Sequence, residues 1–225
     1  MNNQEYISVK SMKKVLRNIY KLNWKLLINE NFVNEMEGNS GNFPAQTNDF
    51  VKYARMPEII HILEIGFNGG HSAVTFLSAS KKVNVVSFDI GIHDYLKIGK
   101  KFIDRKFPNR HKLIIGSSLD TIPQFYKDNP NFKFDLLFID GNHEYDYALG
   151  DMINCKLLAH KNSLVILDDT TYIELGQKMT RWTEGPTLAF KKMLADSEIE
   201  KINIRVYNKI VGMSVGKYLK LTSNE

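Results

Sequence analysis

The chain reads as an α/β protein built on a seven-stranded, mainly parallel sheet, with a C-terminal antiparallel hairpin and an N-terminal helical extension. Three observations predict this. From His61 onward, short apolar runs of strand length alternate with stretches of helical period, the signature of βαβ units. The first run, His61 to Ile65, ends in a turn holding Gly66, Gly69 and Gly70 and then enters a helical pattern. The last two apolar runs, 201–207 and 210–217, are separated only by Asn208-Lys209. A two-residue turn with Asn first makes that pair antiparallel.

Taken in order, residues from about 8 to 37 carry Val9, Met12, Leu16, Ile19, Leu22, Leu26, Phe32, Val33 and Met36 at helical spacing, an amphipathic helix or helix pair. Gly38 to Pro44 is a break, and a short helix follows from Asp49 to Arg55, stopped by Pro57. Strands are expected at 61–66, 83–89, 111–116, 134–140 and 163–168 before the terminal pair. Helices are expected at 70–80, 93–106, 120–128, 144–160 and 186–196. No internal repeat or low-complexity linker interrupts the pattern. The expected organisation is therefore an extension, 1–45, followed by one domain, 46–225.

Composition bounds the function. The chain has 225 residues, 43% hydrophobic and 24% charged, the balance of a globular protein. No apolar run reaches the roughly 18–20 residues that span a bilayer, so no membrane partner is expected. Residues 1–5 lack the basic-then-apolar order of a signal peptide. The single cysteine, Cys155, rules out a disulfide framework or a cysteine zinc site and falls in a helical pattern as a core residue. A cytoplasmic location follows from these features. The net charge of +5 concentrates in two helical stretches: Lys10, Lys13, Lys14, Arg17, Lys21 and Lys25, then Lys97, Lys100, Lys101, Arg105 and Lys106. Both read as solvated helix faces. With no RNA-binding signature and no aromatic-interleaved basic strand, nucleic acid is not an expected partner.

Two constellations carry chemistry. The glycine turn after the first strand presents backbone N–H groups at a helix N-terminus, suited to a carboxylate or other anion. Asp89 closes the next apolar run, where an acid can take both hydroxyls of a ribose. Together they point to a nucleoside cofactor. A dinucleotide fingerprint would need G-x-G-x-x-G, but Asn68 stands where its second glycine belongs. Glu64, inside the strand, would repel a pyrophosphate and suits an ammonium group. The second constellation is acidic. Asp140 closes the fourth strand and Asp168-Asp169 the fifth, at the sheet rim where ligands bind. Three close carboxylates need a compensating cation, and carboxylate oxygens suit Mg²⁺.

In these residues the chain resembles class I S-adenosylmethionine-dependent methyltransferases. It looks like the metal-dependent O-methyltransferases of the catechol and caffeoyl-CoA type and like the broader small-molecule methyltransferases related to them. The family's cofactor motif appears as Glu64, Gly66, Gly70 and Ser72, with Asn68 inside the turn, and its ribose acid as Asp89. Gly116-Ser117-Ser118-Leu119-Asp120 looks like the loop bordering the adenine. The family's metal acids match Asp140, Asp168 and Asp169. The resemblance runs from about residue 40 to the C-terminus. The catechol type has a lysine three residues after the fourth-strand Asp, whereas this chain has His143. The segment Ile139 to Tyr145 is closer to the bacterial sugar- and antibiotic-modifying relatives.

The resemblance implies a Rossmann-like class I methyltransferase fold and S-adenosylmethionine as cofactor. That cofactor would be contacted by Glu64, Gly66, Asn68, Gly70, Ser72, Asp89, Ser117, Ser118 and Asp140. It also implies Mg²⁺ or a similar divalent cation on Asp140, Asp168 and Asp169, with Asp140 and His143 as catalytic groups and His143 in the place of the family's base. The acceptor would be a hydroxylated small molecule, and a homodimer is left open. Tyr172, Arg181 and Trp182 follow the fifth strand and are candidates to line the acceptor pocket. Two rivals remain: a metal-independent methyltransferase acting on an amine, a sugar or RNA, and a binding module that kept the fold without the chemistry.

Overall fold

The structure is a computed structural model that describes residues 9–27 and 43–221. The helical expectation at Phe32, Val33 and Met36, and the break from Gly38, lie outside the described residues. The elements run α1 (Val9–Leu27), α2 (Pro44–Ala54), β1 (His61–Ile65), α3 (His71–Ala79), β2 (Asn84–Asp89), α4 (Leu96–Lys106) and β3 (His111–Ile115). They continue with α5 (Ser118–Asp128), β4 (Phe134–Ile139), α6 (Tyr145–Lys156), β5 (Ala159–Leu167), α7 (Arg181–Ala195), β6 (Ile199–Val206) and β7 (Gly212–Tyr218). Among the described residues, seven strands form one mixed sheet in the order β3-β2-β1-β4-β5-β7-β6. β4 is parallel to both β1 and β5, whereas β7 runs antiparallel to β5 and β6.

β5 starts four residues ahead of expectation, at Ala159, and three other boundaries differ for identifiable reasons. α2 starts at Pro44, which takes the first helical position, where its missing N–H costs nothing. α7 starts at Arg181, ahead of Gly185-Pro186. The N–H of Thr180 donates to Thr183 Oγ1 (3.0 Å), a cap that starts the helix before its proline. The hairpin is not a two-residue turn. β6 and β7 pair only as far as Val206 opposite Gly212, and neither Asn208 nor Lys209 takes the positive φ that such a turn needs. Instead Asn208 Oδ1 accepts the N–H groups of Ile210 (2.7 Å) and Val211 (2.8 Å), a side-chain turn that closes a wider loop.

Contacts gather the chain into two compact units. The first comprises residues 1–60, 67–85 and 91–112, of which the described part holds α1 to α4. Val15, Ile19, Leu22 and Leu26 form the buried stripe of α1, and Phe50 meets Phe76 at 5.4 Å. A buried Asn18 amide donates to Ser78 Oγ (2.8 Å), so the polar group on that stripe is satisfied. Arg110 closes the unit, donating to the carbonyls of Leu77, Ser80 and Val83. The second unit, residues 61–66, 86–90 and 113–225, holds the core built from Leu63, Ile65, Phe88, Phe134, Leu137, Ile139, Met152, Val165, Leu167 and Phe190. No helix among the described residues is long and apolar enough to cross a membrane.

Candidate active site

Register sets up the site in the second unit. Ile65, Ile139 and Leu167 lie in one row across β1, β4 and β5. The ladder continues one step further, with the N–H of Asp140 donating to Ile65 O (3.0 Å) and that of Asp168 to Ile139 O (2.9 Å). Gly66, Asp140 and Asp168 therefore leave the sheet side by side at its carboxyl rim. The approach is so close that a Cβ on Gly66, where φ is +88°, would sit 1.8 Å from the Asp140 carbonyl oxygen. Only glycine fits there.

Beyond the rim, Asp140, His143 and Asp169 converge: one donor atom from each lies within 4.8 Å of the others. His143 Nε2 is 3.3 Å from Asp169 Oδ2 and 3.8 Å from Asp140 Oδ1. Asp169 reaches this cluster because its backbone takes φ +51°, a left-handed conformation uncommon for a non-glycine residue. Asp168, expected among the metal acids, is not in the cluster. Its side chain is buried, and its Oδ1 accepts the Asp169 N–H (3.0 Å), so it braces the turn that aims its neighbour. Burial, then the nearby Asp140 charge, pushes the Asp169 carboxyl up to about 6, with His143 opposing. Two carboxylates so placed, Asp140 and Asp169, offer oxygens that fit a divalent cation, with the His143 imidazole beside them.

The first turn of α7 completes the rim. Trp182 stands edge-on to His143 at 6.0 Å, and the Arg181 guanidinium lies 4.7 Å over the Trp182 ring. Gly185 allows this: a Cβ there would meet His143 O at 2.1 Å and Tyr145 N at 2.7 Å. Tyr172 does not line the rim. It is buried, with its hydroxyl bonded to Ser214 Oγ (2.5 Å).

Of the candidate cofactor residues in this unit, Glu64 is fully buried and accepts a hydrogen bond from Ser87 Oγ. Asp89 ends β2 half-buried, and its carbonyl accepts the Gly116 N–H (2.9 Å). Ser117 stands at the N-cap position of α5, its carbonyl accepting the Thr121 N–H (2.9 Å), and Ser118 Oγ donates to Asp151 Oδ1 (2.6 Å). Asp151 escaped the sequence reading, although an acid on the apolar stripe Ala148, Met152, Cys155 was a visible signal. Burial raises its carboxyl to about 6, against the Ser118 hydrogen bond. In the first unit, Asn68 has φ +49°, Gly70 is the left-handed cap of α3 (φ +85°), and Ser72 is buried in that helix's first turn. His71 beside it is buried, bonded to Asn23 Oδ1 (2.5 Å) and lowered to about 4 by burial, a neutral structural imidazole.

Residues 63–170, which run from β1 through the Asp168-Asp169 turn, match the family model described as a methyltransferase domain. Over just under half of its length the chain is thus similar to a methyltransferase domain. The sequence is also similar to the O-methyltransferase imqG of Aspergillus flavus, 23% identical over 115 residues. The match covers 48% of this chain and 47% of the fungal one, so the chain spans about half the length of that curated relative. Solved structures share the fold over more of the chain. The O-methyltransferase from Bacillus cereus, in complex with SAH, aligns with a TM-score of 0.67 at 17% identity, over 96% of this chain and 94% of that one. TomG from Streptomyces achromogenes, an O-methyltransferase involved in tomaymycin synthesis and crystallised with SAM, aligns with a TM-score of 0.63 at 16% identity, over 97% and 93%. The chain thus shares with these solved structures the seven-stranded fold, with its antiparallel C-terminal strand, that the resemblance implied.

Proposed function

We propose that the protein transfers the methyl group of S-adenosylmethionine to a hydroxyl of a small molecule, with Asp140, His143 and Asp169 at the point of transfer. The convergence of those three groups within 4.8 Å carries the reading. Glu64, Gly66, Asp89, Ser117 and Ser118 are the cofactor contacts proposed in the second unit, and Asn68, Gly70 and Ser72 remain candidates at the start of α3. The cofactor supplies an activated methyl group, so the protein's task is to align an acceptor oxygen and remove its proton. His143 accepts that proton, and Asp169, 3.3 Å from its Nε2, stabilises the imidazolium that forms. Asp140 and Asp169 would hold a divalent cation, which would supply Lewis-acid stabilisation of the acceptor oxyanion. Trp182 and Arg181, exposed beside His143, favour a planar acceptor.

The test is turnover with S-adenosylmethionine over a panel of catechols, phenols and sugars. The protein is first stripped with EDTA and then resupplied with Mg²⁺ or Mn²⁺. Calorimetry should show cofactor affinity with or without cation, and turnover should need the cation. Full activity in EDTA would leave His143 as a base acting alone, the metal-independent reading. Absence of any cofactor affinity would overturn both.

A further inference from the structure

The outer face of α1 combines two properties that the sequence kept apart. Its buried stripe leaves Lys13, Lys14, Leu16, Arg17, Tyr20, Lys21, Trp24 and Lys25 exposed. Tyr20 is 68% and Trp24 57% exposed, one helical turn apart and interleaved with cations. Phe102 of α4 joins them, and Tyr20, Lys21, Trp24, Lys25 and Phe102 line a groove of about 320 Å³. α1 contains six basic residues and no acid, more positive charge than the net +5 of the whole chain. On α4 the lysines are partly neutralised by Asp94 with Lys97 and by Asp104 with Lys100. Among the described residues, no ion pair reaches Lys13, Lys14, Arg17 or Lys21.

We propose that this groove binds single-stranded nucleic acid, with bases stacked on Tyr20, Trp24 and Phe102 and phosphates along the cations of α1. Aromatic faces in a basic groove are the general solution for unpaired strands, because every base offers a π-face. The cations from Lys13 to Lys25 extend about 18 Å along the helix, a length suited to a short run of nucleotides and longer than one nucleotide needs. An anionic bilayer is the weaker fit, since here the rings wall a recess. The expectation from sequence alone, two solvated basic faces, lacked the aromatic interleaving that α1 and α4 supply together. The site lies wholly in the first unit and does not rest on the acidic cluster.

Fluorescence anisotropy of a labelled oligouridylate of roughly 12 nucleotides, titrated with the full chain at about 50 mM salt, tests it. Saturable binding is expected, weakening roughly tenfold by about 200 mM salt. Trp24→Ala and Tyr20→Ala should each lower affinity roughly tenfold, whereas Trp24→Phe should hold it. Lys13→Glu with Lys21→Glu should abolish binding. All four positions are exposed, and unchanged thermal melts would show that the fold is intact. The proposal is overturned by no saturable binding, by binding that ignores both aromatic changes, or by binding to phosphatidylglycerol vesicles with none to the oligonucleotide.

Discussion

The loops after β4 and β5 begin alike and end differently. Both strands finish in the same register row, both continue with aspartate, and both pair a buried acid with a half-buried one. After β4 the first aspartate, Asp140, stands in the cluster, and the buried acid is Asp151 of α6, whose Oδ2 lies 3.2 Å from where a Gly141 Cβ would sit. After β5 the first aspartate is itself the buried acid, and the second reaches the cluster through a left-handed backbone. Register decides which positions arrive at a rim. Backbone conformation decides which carboxylate is presented and which becomes a brace.

The largest expected effect breaks the β5 side. Asp169→Asn should lower kcat by on the order of 10²–10³-fold with cofactor affinity retained, because a charge at the reacting oxygen is lost. Asp168→Asn keeps an oxygen for the Asp169 N–H and should cost far less. If the two substitutions cost the same in steady-state assays, the division between presenter and brace is wrong. On the β4 side, His143→Ala should lower kcat roughly 10²-fold while calorimetric cofactor affinity holds. A matching loss of affinity would make His143 a binding group.

Asp151 gives the comparison a pH dependence. Its carboxyl is raised to about 6 in the folded chain, so it favours folding while protonated. That contribution is fully present below about pH 4 and is lost as the pH rises through about 6, at most ~3 kcal/mol for a shift of about two units. Asp151→Asn should therefore flatten the pH dependence of the melting temperature and raise it by several degrees at pH 8. A lower melting temperature at pH 8 would mean that the ionised carboxylate is what Ser118 requires. Gly185→Ala is the mildest test. Its Cβ clash with His143 O should cost about 1–3 kcal/mol by differential scanning calorimetry and weaken the Trp182–His143 contact. An unchanged melt would show that α7 does not fix the β4 loop.

Much of this was legible in the chain. Strand runs, the Gly66 turn and the rim positions of Asp140 and Asp169 follow from period and from where apolar runs stop, because burial enforces both. What escaped depends on conformations that residue type does not encode. Nothing in Asp168-Asp169 says that the second residue takes a positive φ. Gly185-Pro186 looks like a helix start, yet the Thr180–Thr183 cap outweighs it. Asn208-Lys209 looks like a tight turn, but the Asn208 side chain serves two backbone N–H groups and widens the loop. Asp151 shows no role until Ser118 is placed beside it.

The chain's one cysteine has a practical consequence. Cys155 is fully buried on α6, and burial followed by the Asp151 charge raises its thiol well above the ordinary range. A thiol held neutral and out of solvent does not react with alkylating dyes. Any label it takes up must come from molecules in which α6 has opened. Labelling rate against denaturant would thus read the opening free energy of the second unit in the unaltered protein, with no engineered probe.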